Sequence, residues 1–168
     1  KKFNIKKNKN SVTILKTKVC NFRYAKNPAL AGIKHLNRLE QILARSEWTD
    51  NTISEGIVMD TNNFVIEGTM SNIFCIIGRT LHTPDLSSCG VEGIVREKII
   101  DMADKVNFSV EIKNMSLEFL LNADEVFMCN SLIGIWPVNS INEKQFSSYQ
   151  QTTKITNSLI KYNFIPKL

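Results

Sequence analysis

The sequence predicts an α+β fold, because helix-like and strand-like segments are mixed along one chain of 168 residues. Apolar residues recur at helical spacing after Leu36, whereas residues 55–82 contain short apolar runs that turn residues separate. Hydrophobic residues make up 43% of the chain, and there is no internal repeat and no linker rich in proline or glycine. A chain of this length and composition can bury a core of its own, so we expect a single domain.

The first half of the chain is predicted to begin with a strand and a helix. Apolar and polar side chains alternate over residues 11–19, which predicts a strand, and residues 27–32 contain proline and glycine, which predicts a loop. A helix is predicted from Leu36 to about Ser46 because the apolar residues there have helical spacing. The short strands that follow are predicted at residues 55–60, 64–66, 72–77 and 80–82.

Helices and strands alternate in the second half. A helix is predicted from about Gly93 to Val106, with Ile94, Ile99 and Met102 on or near one face. A short helix is expected over residues 116–122, where the first residue is a serine that can cap it. The remaining predicted elements are strands at residues 108–112, 125–129 and 133–138 and a C-terminal helix at residues 147–162.

The net charge of +5 is weak evidence for a nucleic-acid partner. Isoleucine, asparagine and lysine account for 54 of the 168 residues, a bias towards A/T-rich codons that explains much of the basic charge. Five lysines lie within residues 1–9, but aromatic residues do not alternate with them, since Phe3 is the single one, and no recognition motif accompanies them. We therefore expect residues 1–10 to be a basic, poorly ordered lead-in, and no nucleic-acid partner.

Neither a membrane segment nor a metal site is expected from the sequence. The longest apolar runs, such as residues 73–77, are far shorter than the roughly 20 residues that a membrane-spanning helix needs. The four cysteines are widely spaced, form no C-x-x-C pair and are accompanied by only two histidines, so we expect no bound metal. Reduced thiols of this kind are typical of a cytoplasmic protein.

Lys34 is the first residue that could carry chemistry. It lies between a glycine-containing loop and a helix, and its neighbours Ile33 and Leu36 are apolar. Loss of solvation at such a position would favour the neutral amine, which can attack an aldehyde. A surface lysine at the start of a helix explains the same residues, and Lys34 alone favours that simpler explanation.

Three other segments carry polar groups at the ends of predicted elements. Glu67 ends an apolar strand and could hold a proton on a heterocyclic nitrogen. Residues 89–96 place two glycines before a helix start, where free backbone N–H groups and the helix dipole form an anion site, and Arg96 is expected to orient this loop. Residues 129–132 end another apolar strand with small polar side chains.

Each of these segments also has an ordinary structural explanation. An acid can simply lie at a turn, glycines can simply end a loop, and small polar residues can simply follow a strand. Together, however, an aldehyde-binding lysine, an acid for a ring nitrogen and an anion site match what pyridoxal phosphate requires.

The same segments resemble the class IV aminotransferase family of pyridoxal-phosphate proteins, whose fold is called fold type IV. The matching motifs are NPALAGIKHLNRLEQ at residues 27–41, EGTMSNIF at 67–74, TP at 83–84, GIVR at 93–96, ADEVF at 123–127 and PV at 137–138. The resemblance covers residues 12–138 with its spacing preserved. The run HLNRLEQ is typical of the lyases of this family that act on 4-amino-4-deoxychorismate.

The resemblance implies a fold and an activity. Residues 11–168 would form the large C-terminal, pyridoxal-phosphate-binding domain of the D-amino acid aminotransferase-like fold, a mixed sheet or pseudo-barrel with helices around it. The reaction would be a carbon–oxygen lyase reaction that gives 4-aminobenzoate and pyruvate on the route to folate. Relatives carry a smaller N-terminal domain before this region, with an arginine that contacts the phosphate. That domain is not part of residues 1–168, so we expect an incomplete site.

The resemblance also implies a role for individual residues. Lys34 would bind the cofactor covalently and serve as the catalytic base, and Glu67 would face the pyridine nitrogen. The phosphate would be bound by the backbone N–H groups of Gly93, Ile94 and Val95 and by the hydroxyl group of Ser131. Arg38 would lie near the ring oxygen of the cofactor. Asn130 and Leu132 would border the substrate.

Two alternatives to the lyase stay open at this point. The first is an aminotransferase for branched-chain or D-amino acids on the same scaffold, which would use the same lysine and would need a keto acid. The second is a non-catalytic remnant or partner-binding domain. Because the family is homodimeric, a homodimer is expected.

Overall fold

The computed structural model describes residues 15–162 and 164–165, and over this range it confirms the α+β class. The basic lead-in at residues 1–10 and the first four residues of the strand predicted at 11–19 lie outside the described residues. Ten strands of the described chain belong to one mixed sheet, with four α-helices and a single turn of 3-10 helix around it. None of the described helices is both long enough and apolar enough to cross a bilayer.

The elements follow one another along the chain with short connections. The strands are β1 (Leu15–Tyr24), β2 (Glu55–Asp60), β3 (Phe64–Gly68), β4 (Asn72–Ile77), β5 (Thr80–Pro84), β6 (Ser109–Lys113), β7 (Met115–Ser116), β8 (Glu125–Asn130), β9 (Gly134–Ile141) and β10 (Lys144–Gln145). The helices are α1 (Leu39–Arg45), α2 (Ile94–Met102), α3 (Leu117–Leu121) and α4 (Gln150–Lys161), and the 3-10 turn is Asp104–Val106.

The sheet order forces the sheet to curl. The strands lie in the order β6-β5-β4-β8-β9-β1-β2-β3-β7, so β3 and β4 are five strand positions apart. Five steps along a flat sheet span about 24 Å, because neighbouring strands lie about 4.8 Å apart. Only residues 69–71 connect β3 to β4, and such a connection reaches about 14 Å at most. The two strand ends therefore meet only if the sheet bends towards closure, and this meeting point lies at the candidate site.

Apolar side chains cover both faces of the central strands. Every residue of β2 is buried, as are all but the last residue of β4. One cluster of buried residues includes Ile57 and Ile73. A second includes Phe74 and Phe127, whose rings stack with centroids 5.1 Å apart beneath α2 and α4. This packing holds the strand ends that carry the site.

Most predicted elements are confirmed, and the differences have physical reasons. The strand predicted to end at residue 19 continues to Tyr24, because it pairs with β2 along its length. The helix predicted from Leu36 begins at Leu39, because its first helical hydrogen bond runs from the N–H of Ile42 to the backbone oxygen of Arg38, and Leu36 lies before this turn with its side chain 99% exposed. The helix predicted to reach Val106 ends at Met102 and tightens into the 3-10 turn.

The predicted apolar face of α2 is wrong by one residue. Val95, Ile99 and Met102 are buried against the core, whereas Ile94 is 69% exposed. The buried residues are spaced by four and three positions, which places them on one side of the helix. Ser116 caps α3 as predicted, because its Oγ accepts a hydrogen bond of 3.1 Å from the backbone N–H of Phe119.

An exposed apolar stretch lies around the start of α1. Within the described residues nothing covers it, and α1 buries only Ala44. The exposed apolar residues of this stretch are Leu30, Ile33, Leu36, Leu39, Ile42 and Leu43. The helix predicted from the apolar spacing is therefore present from Leu39 onwards, but among the described residues its exposed apolar side chains have no surface to pack against.

Candidate active site

A cavity of about 170 Å³ lies where four connections meet: the loop before α1, the β3–β4 turn, the loop before α2 and the β8–β9 turn. Eight of the nine residues that the sequence analysis assigns to the site line it, namely Lys34, Arg38, Glu67, Gly93, Ile94, Val95, Asn130 and Ser131. The ninth, Leu132, does not line it. Its side chain lies in the β8–β9 turn and is 85% exposed.

Glu67 is a buried acid at the end of β3. Burial raises the pKa of its carboxyl to about 7, while the hydrogen bond from Val91 and the nearby cation of Arg38 act in the opposite direction. Val91 donates its backbone N–H to Glu67 Oε2 over 3.0 Å, and Asn72 Nδ2 lies 3.5 Å from the same oxygen. No hydrogen bond within the described residues uses Oε1, so that oxygen is available to a ligand.

The start of α2 supplies backbone donors to the cavity. Gly93 is the N-cap in extended conformation, and the first N–H groups of the nine-residue helix have no acceptor within the helix. The position of Gly93 also depends on its lack of a side chain, because a Cβ there would collide with Oδ1 of Asn72. Asn72 in turn donates from Nδ2 to the backbone oxygen of Val91 over 2.7 Å. The side chain of Asn72 therefore fixes the loop that leads into the helix.

Lys34 is exposed, so the loss of solvation expected from its apolar neighbours is not found. The reason is that Ile33 and Leu36 are themselves exposed and exclude no water. The loop of Lys34 is held instead by the backbone. The N–H of Gly32 donates to the oxygen of Gly90 over 2.9 Å, and the N–H of Glu92 donates back to the oxygen of Gly32 over 3.0 Å.

This backbone pairing depends on two glycines. Gly32 has φ +77° and Gly90 has φ +92°, conformations that cost most other residues about 1 kcal/mol or more. A Cβ on Gly90 would also lie 2.8 Å from a methyl group of Ile66. The lysine loop and the loop before α2 therefore form one unit at the cavity wall.

Arg38 brings an unpaired donor to the cavity. Its Nη2 lies 3.5 Å from the backbone oxygen of Thr69. Its Nη1 is buried and has no hydrogen-bond partner among the described residues. An unsatisfied buried donor is costly, so this position favours a ligand that supplies an acceptor.

Asn130 and Ser131 lie on the opposite side, at the β8–β9 turn. Asn130 Oδ1 accepts the backbone N–H groups of Leu132 and Ile133 over 3.0 and 2.9 Å, and its Nδ2 donates to the backbone oxygen of Met70 over 3.2 Å. Asn130 therefore joins two turns of the cavity wall. Ser131 lines the cavity and is exposed.

Arg96 orients the start of α2 from outside the cavity, as predicted. Its guanidinium is buried, and burial lowers its pKa from the ordinary value for arginine. Nε donates to Thr83 Oγ1 over 3.2 Å and Nη2 donates to the backbone oxygen of Pro84 over 2.9 Å. Arg96 thus ties the helix to the end of β5.

Comparison with known proteins gives the family. A family model described as amino-transferase class IV matches residues 3–141, which is well over half of the chain. The chain belongs to the class IV aminotransferase family. The match includes the segments that supply Lys34, Glu67 and the start of α2.

Members of the class IV aminotransferase family that resemble this chain include lyases and aminotransferases. The aminodeoxychorismate lyase of Vibrio harveyi is 40% identical over 124 residues, which are 74% of this chain and 46% of that protein. A crystal structure of 4-amino-4-deoxychorismate lyase from Pseudomonas aeruginosa has a TM-score of 0.83 and is 41% identical. The match covers 89% of this chain and 54% of the Pseudomonas aeruginosa chain.

The aminotransferase branch is also similar. The branched-chain amino acid aminotransferase from Escherichia coli has a TM-score of 0.79 and is 30% identical. The match covers 89% of this chain and 52% of the Escherichia coli chain. The chain therefore spans about half the length of the relatives it matches.

The cofactor of the class IV aminotransferase family is pyridoxal phosphate, and the residues in the cavity fit it. Glu67 Oε1 is free to face a ring nitrogen, Arg38 Nη1 lacks an acceptor, and the start of α2 offers backbone donors to a phosphate. Lys34 lines the same cavity. The roles of these residues stay predictions.

Several residues of the cavity had no role in the sequence analysis. Asn72 and Ser71 lie inside the EGTMSNIF motif, so the motif itself was the available signal. Met70 lies in the same motif, and Glu92 and Cys129 lie in the segments 89–96 and 129–132 that the sequence analysis singled out, but none of the three was given a role. Cys129 is buried, and burial raises the pKa of its thiol to about 12, so it is not a nucleophile at neutral pH.

Proposed function

We propose that this chain carries the pyridoxal-phosphate site of an aminodeoxychorismate lyase, which converts 4-amino-4-deoxychorismate to 4-aminobenzoate and pyruvate. The observation that carries the proposal is that Lys34, Glu67 and the start of α2 line one cavity. The lyases of Vibrio harveyi and Pseudomonas aeruginosa, at 40% and 41% identity, support the choice of reaction.

The residues have distinct tasks in this reaction. Bound pyridoxal phosphate supplies an electron sink next to the amine-bearing carbon of the substrate. The amine of Lys34 holds the cofactor through its aldehyde carbon until substrate arrives. It would then take the proton from the amine-bearing carbon, and it would return a proton to the three-carbon fragment that leaves when the carbon–oxygen bond at the neighbouring ring carbon breaks. Ring aromatisation in the other product makes the elimination favourable.

The other residues hold the cofactor and its charge. Glu67, fixed by Val91 and Asn72, keeps a proton on the pyridine nitrogen through Oε1. The backbone N–H groups at Gly93, Ile94 and Val95, together with Ser131, bind the phosphate. Arg38 donates from Nη1 to the ring oxygen. Asn130 is proposed to border the substrate in the cavity, whereas for Leu132, which does not line the cavity, this role stays a prediction from the sequence.

A branched-chain or D-amino acid aminotransferase is the second candidate, because the Escherichia coli aminotransferase has a similar fold at 30% identity. A non-catalytic, partner-binding domain is the third, because the apolar stretch at residues 30–43 is exposed. We further propose a homodimer, a cytoplasmic location and a place in folate synthesis for the lyase.

Two measurements test the proposal. The chain is incubated with pyridoxal phosphate, reduced with borohydride and digested, and the pyridoxyl group is expected on Lys34. The Lys34→Arg variant should lose the adduct because its guanidinium cannot react, whereas Lys98→Arg, at a lysine of α2 that does not line the cavity, should keep it. An adduct on another lysine contradicts the assignment.

The second measurement distinguishes the candidate reactions. Pyruvate is measured after addition of 4-amino-4-deoxychorismate without any keto acid. Pyruvate release that requires Lys34 supports the lyase. Amino transfer to an added keto acid, with no pyruvate in its absence, supports the aminotransferase. Failure to bind cofactor at all supports the non-catalytic domain.

A further inference from the structure

Glu55 is a buried carboxylate that the proposed chemistry does not use. It begins β2, and its side chain is fully buried. Oε1 accepts hydrogen bonds from the N–H groups of Gly56 and Thr69 over 2.9 and 3.0 Å and from the Thr69 hydroxyl over 2.5 Å. Oε2 accepts from the N–H of Met70 over 3.3 Å and from the hydroxyl of Ser71 over 2.8 Å. Four of these five bonds come from residues 69–71.

Residues 69–71 form the turn that joins β3 to β4, the two strands that meet only because the sheet curls. The N–H of Gly68 closes the turn by donating to the oxygen of Ser71 over 2.6 Å. Backbone donors that point inwards at such a turn need acceptors. One ionised carboxylate satisfies several of them, and charge-assisted hydrogen bonds are the stronger kind.

The outer side of the same turn holds two residues of the site. The backbone oxygen of Thr69 faces Arg38 Nη2 at 3.5 Å, and the backbone oxygen of Met70 accepts from Asn130 Nδ2 over 3.2 Å. Glu67 lies on the strand just before the turn. The negative charge of Glu55 is one of the influences that raise the pKa of Glu67.

The surroundings leave the turn little freedom to move. A Cβ added at Gly68 would lie 2.5 Å from Ser71 Oγ, 2.6 Å from the methyl group of Met128 and 3.0 Å from the carboxyl carbon of Glu55. A turn packed this closely has one arrangement, and Glu55 supplies the hydrogen bonds that select it.

We propose that Glu55 is a positioning residue that fixes the turn at residues 69–71 and, through the two outward carbonyl groups of that turn, places Arg38 for pyridoxal phosphate and Asn130 for the substrate. Its importance for the cofactor rests on the proposed function. The effect on Asn130 follows from the contacts of the chain alone and can be measured without cofactor.

The matched control for Glu55 is Glu125. It too is buried and accepts hydrogen bonds from a neighbouring segment, namely from Ser148 and Gln151 and from the backbone and side chain of Thr152, at 2.8 to 3.0 Å. Those bonds hold the start of α4 and do not involve the cavity. Both Glu55→Gln and Glu125→Gln remove the charge of a buried acceptor, and both should lower the melting temperature.

The test compares the two variants with the unchanged chain in two assays. In the first, the dissociation constant for pyridoxal phosphate is measured by absorbance at a temperature where all three are folded. We expect it to rise about tenfold in Glu55→Gln, the effect of losing roughly one charged hydrogen bond, and to stay within about twofold in Glu125→Gln. Equal effects in both variants overturn the proposal, because they show only loss of stability.

The second assay uses no cofactor. The side-chain amide resonances of Asn130 are compared by NMR, and they should shift in Glu55→Gln but not in Glu125→Gln. Unchanged resonances in Glu55→Gln overturn the proposal. If the unchanged chain binds no pyridoxal phosphate while the Asn130 resonances respond as expected, the proposed function fails and the positioning role stands.

A milder variant serves if Glu55→Gln does not fold. Thr69→Val removes only the hydroxyl that donates to Glu55 Oε1 and keeps the shape of the side chain. It should shift the Asn130 resonances in the same direction by a smaller amount. Asn130 resonances identical to those of the unchanged chain contradict the proposal.

Discussion

The backbone N–H of Val91 donates a hydrogen bond to Glu67 Oε2 over 3.0 Å. This bond joins the loop before α2, where the phosphate is proposed to bind, to the acid proposed for the pyridine nitrogen. Because the donor is a main-chain group, no substitution at residue 91 other than proline removes it directly. It also stabilises the ionised form of an acid whose pKa burial raises to about 7.

The raised pKa of Glu67 predicts a pH-dependent stability of the chain without cofactor. Below pH 4.5 the carboxyl is protonated in both states and costs nothing. As the pH rises from 4.5 to about 7, the unfolded chain releases this proton first, so the free energy of unfolding falls by about 3 kcal/mol. Glu67→Gln should lack this fall, and the difference between the two proteins should level off above pH 7.

Urea unfolding at pH 4.5, 6 and 8 measures this difference. The control is Glu143→Gln, which replaces an exposed carboxyl and should follow the unchanged chain at every pH. Parallel stability curves for the unchanged chain and Glu67→Gln would show that the pKa of Glu67 is the same in the folded and the unfolded chain.

Glu67→Gln should also separate cofactor binding from turnover. The amide keeps the size of the side chain and can still accept from Val91, so pyridoxal phosphate should still bind. The proton on the pyridine nitrogen is no longer stabilised by a charge, and pyruvate release should fall by about 100-fold. The measurement is the rate of pyruvate release at saturating cofactor. A rate near that of the unchanged chain would mean that Glu67 does not face the nitrogen.

Gly93→Ala should disturb the site through Asn72. The added methyl group collides with Asn72 Oδ1, so Asn72 must give up its hydrogen bond to Val91. We expect a loss of about 1–3 kcal/mol in the free energy of unfolding and weaker binding of pyridoxal phosphate. Calorimetry and a cofactor titration measure the two effects.

The matched control is Gly78→Ala. Gly78 has open space where a Cβ would lie, but its backbone φ is +59°. The variant should lose about 1 kcal/mol through backbone strain and bind the cofactor normally. Normal cofactor binding in Gly93→Ala would contradict the role given to Asn72.

Arg96→Lys should destabilise the chain although the charge is kept. The planar guanidinium reaches Thr83 and Pro84 at once, and an ammonium group cannot reproduce both bonds. We expect a loss of about 2 kcal/mol, measured by urea unfolding. Arg79→Lys, on an exposed turn, should change the stability by less than about 0.5 kcal/mol. A loss in Arg96→Lys no larger than in Arg79→Lys would show that the anchor at β5 is unimportant.

Residues placed before Lys1 should strengthen the site. The chain spans about half the length of its relatives, and the apolar stretch at residues 30–43 beside the site is exposed. A fusion with the N-terminal part of the Vibrio harveyi lyase should bind pyridoxal phosphate more tightly and release pyruvate faster. Cofactor titration and pyruvate release measure both. Equal values for the two proteins would show that the chain is self-sufficient.

Local sequence signals were sufficient for most of the fold. The bounds of β2 and β4 agree with their predictions because turn residues flank short apolar runs on both sides. Tertiary contacts decided the rest. Apolar neighbours suggested that Lys34 is desolvated, but apolar residues exclude water only when something packs on them.

The role of Glu55 was also invisible in the sequence. An acid at the start of an apolar strand is expected to face solvent. Its main partners, Thr69, Met70 and Ser71, lie 14 to 16 residues further along the chain, and only the curled sheet brings them to it. No local pattern encodes such a contact.

The main-chain pairing between Gly32 and the loop at residues 90–92 has an evolutionary consequence. It holds the loop of Lys34 against the loop before α2 through main-chain groups alone, so side-chain substitutions elsewhere around the cavity need not change the spacing of these two loops. A lyase and an aminotransferase can then diverge on one backbone, as the TM-scores of 0.83 and 0.79 for two such relatives illustrate. The two glycines thus maintain the spacing of the two loops, and the side chains around the cavity are free to differ from one relative to another.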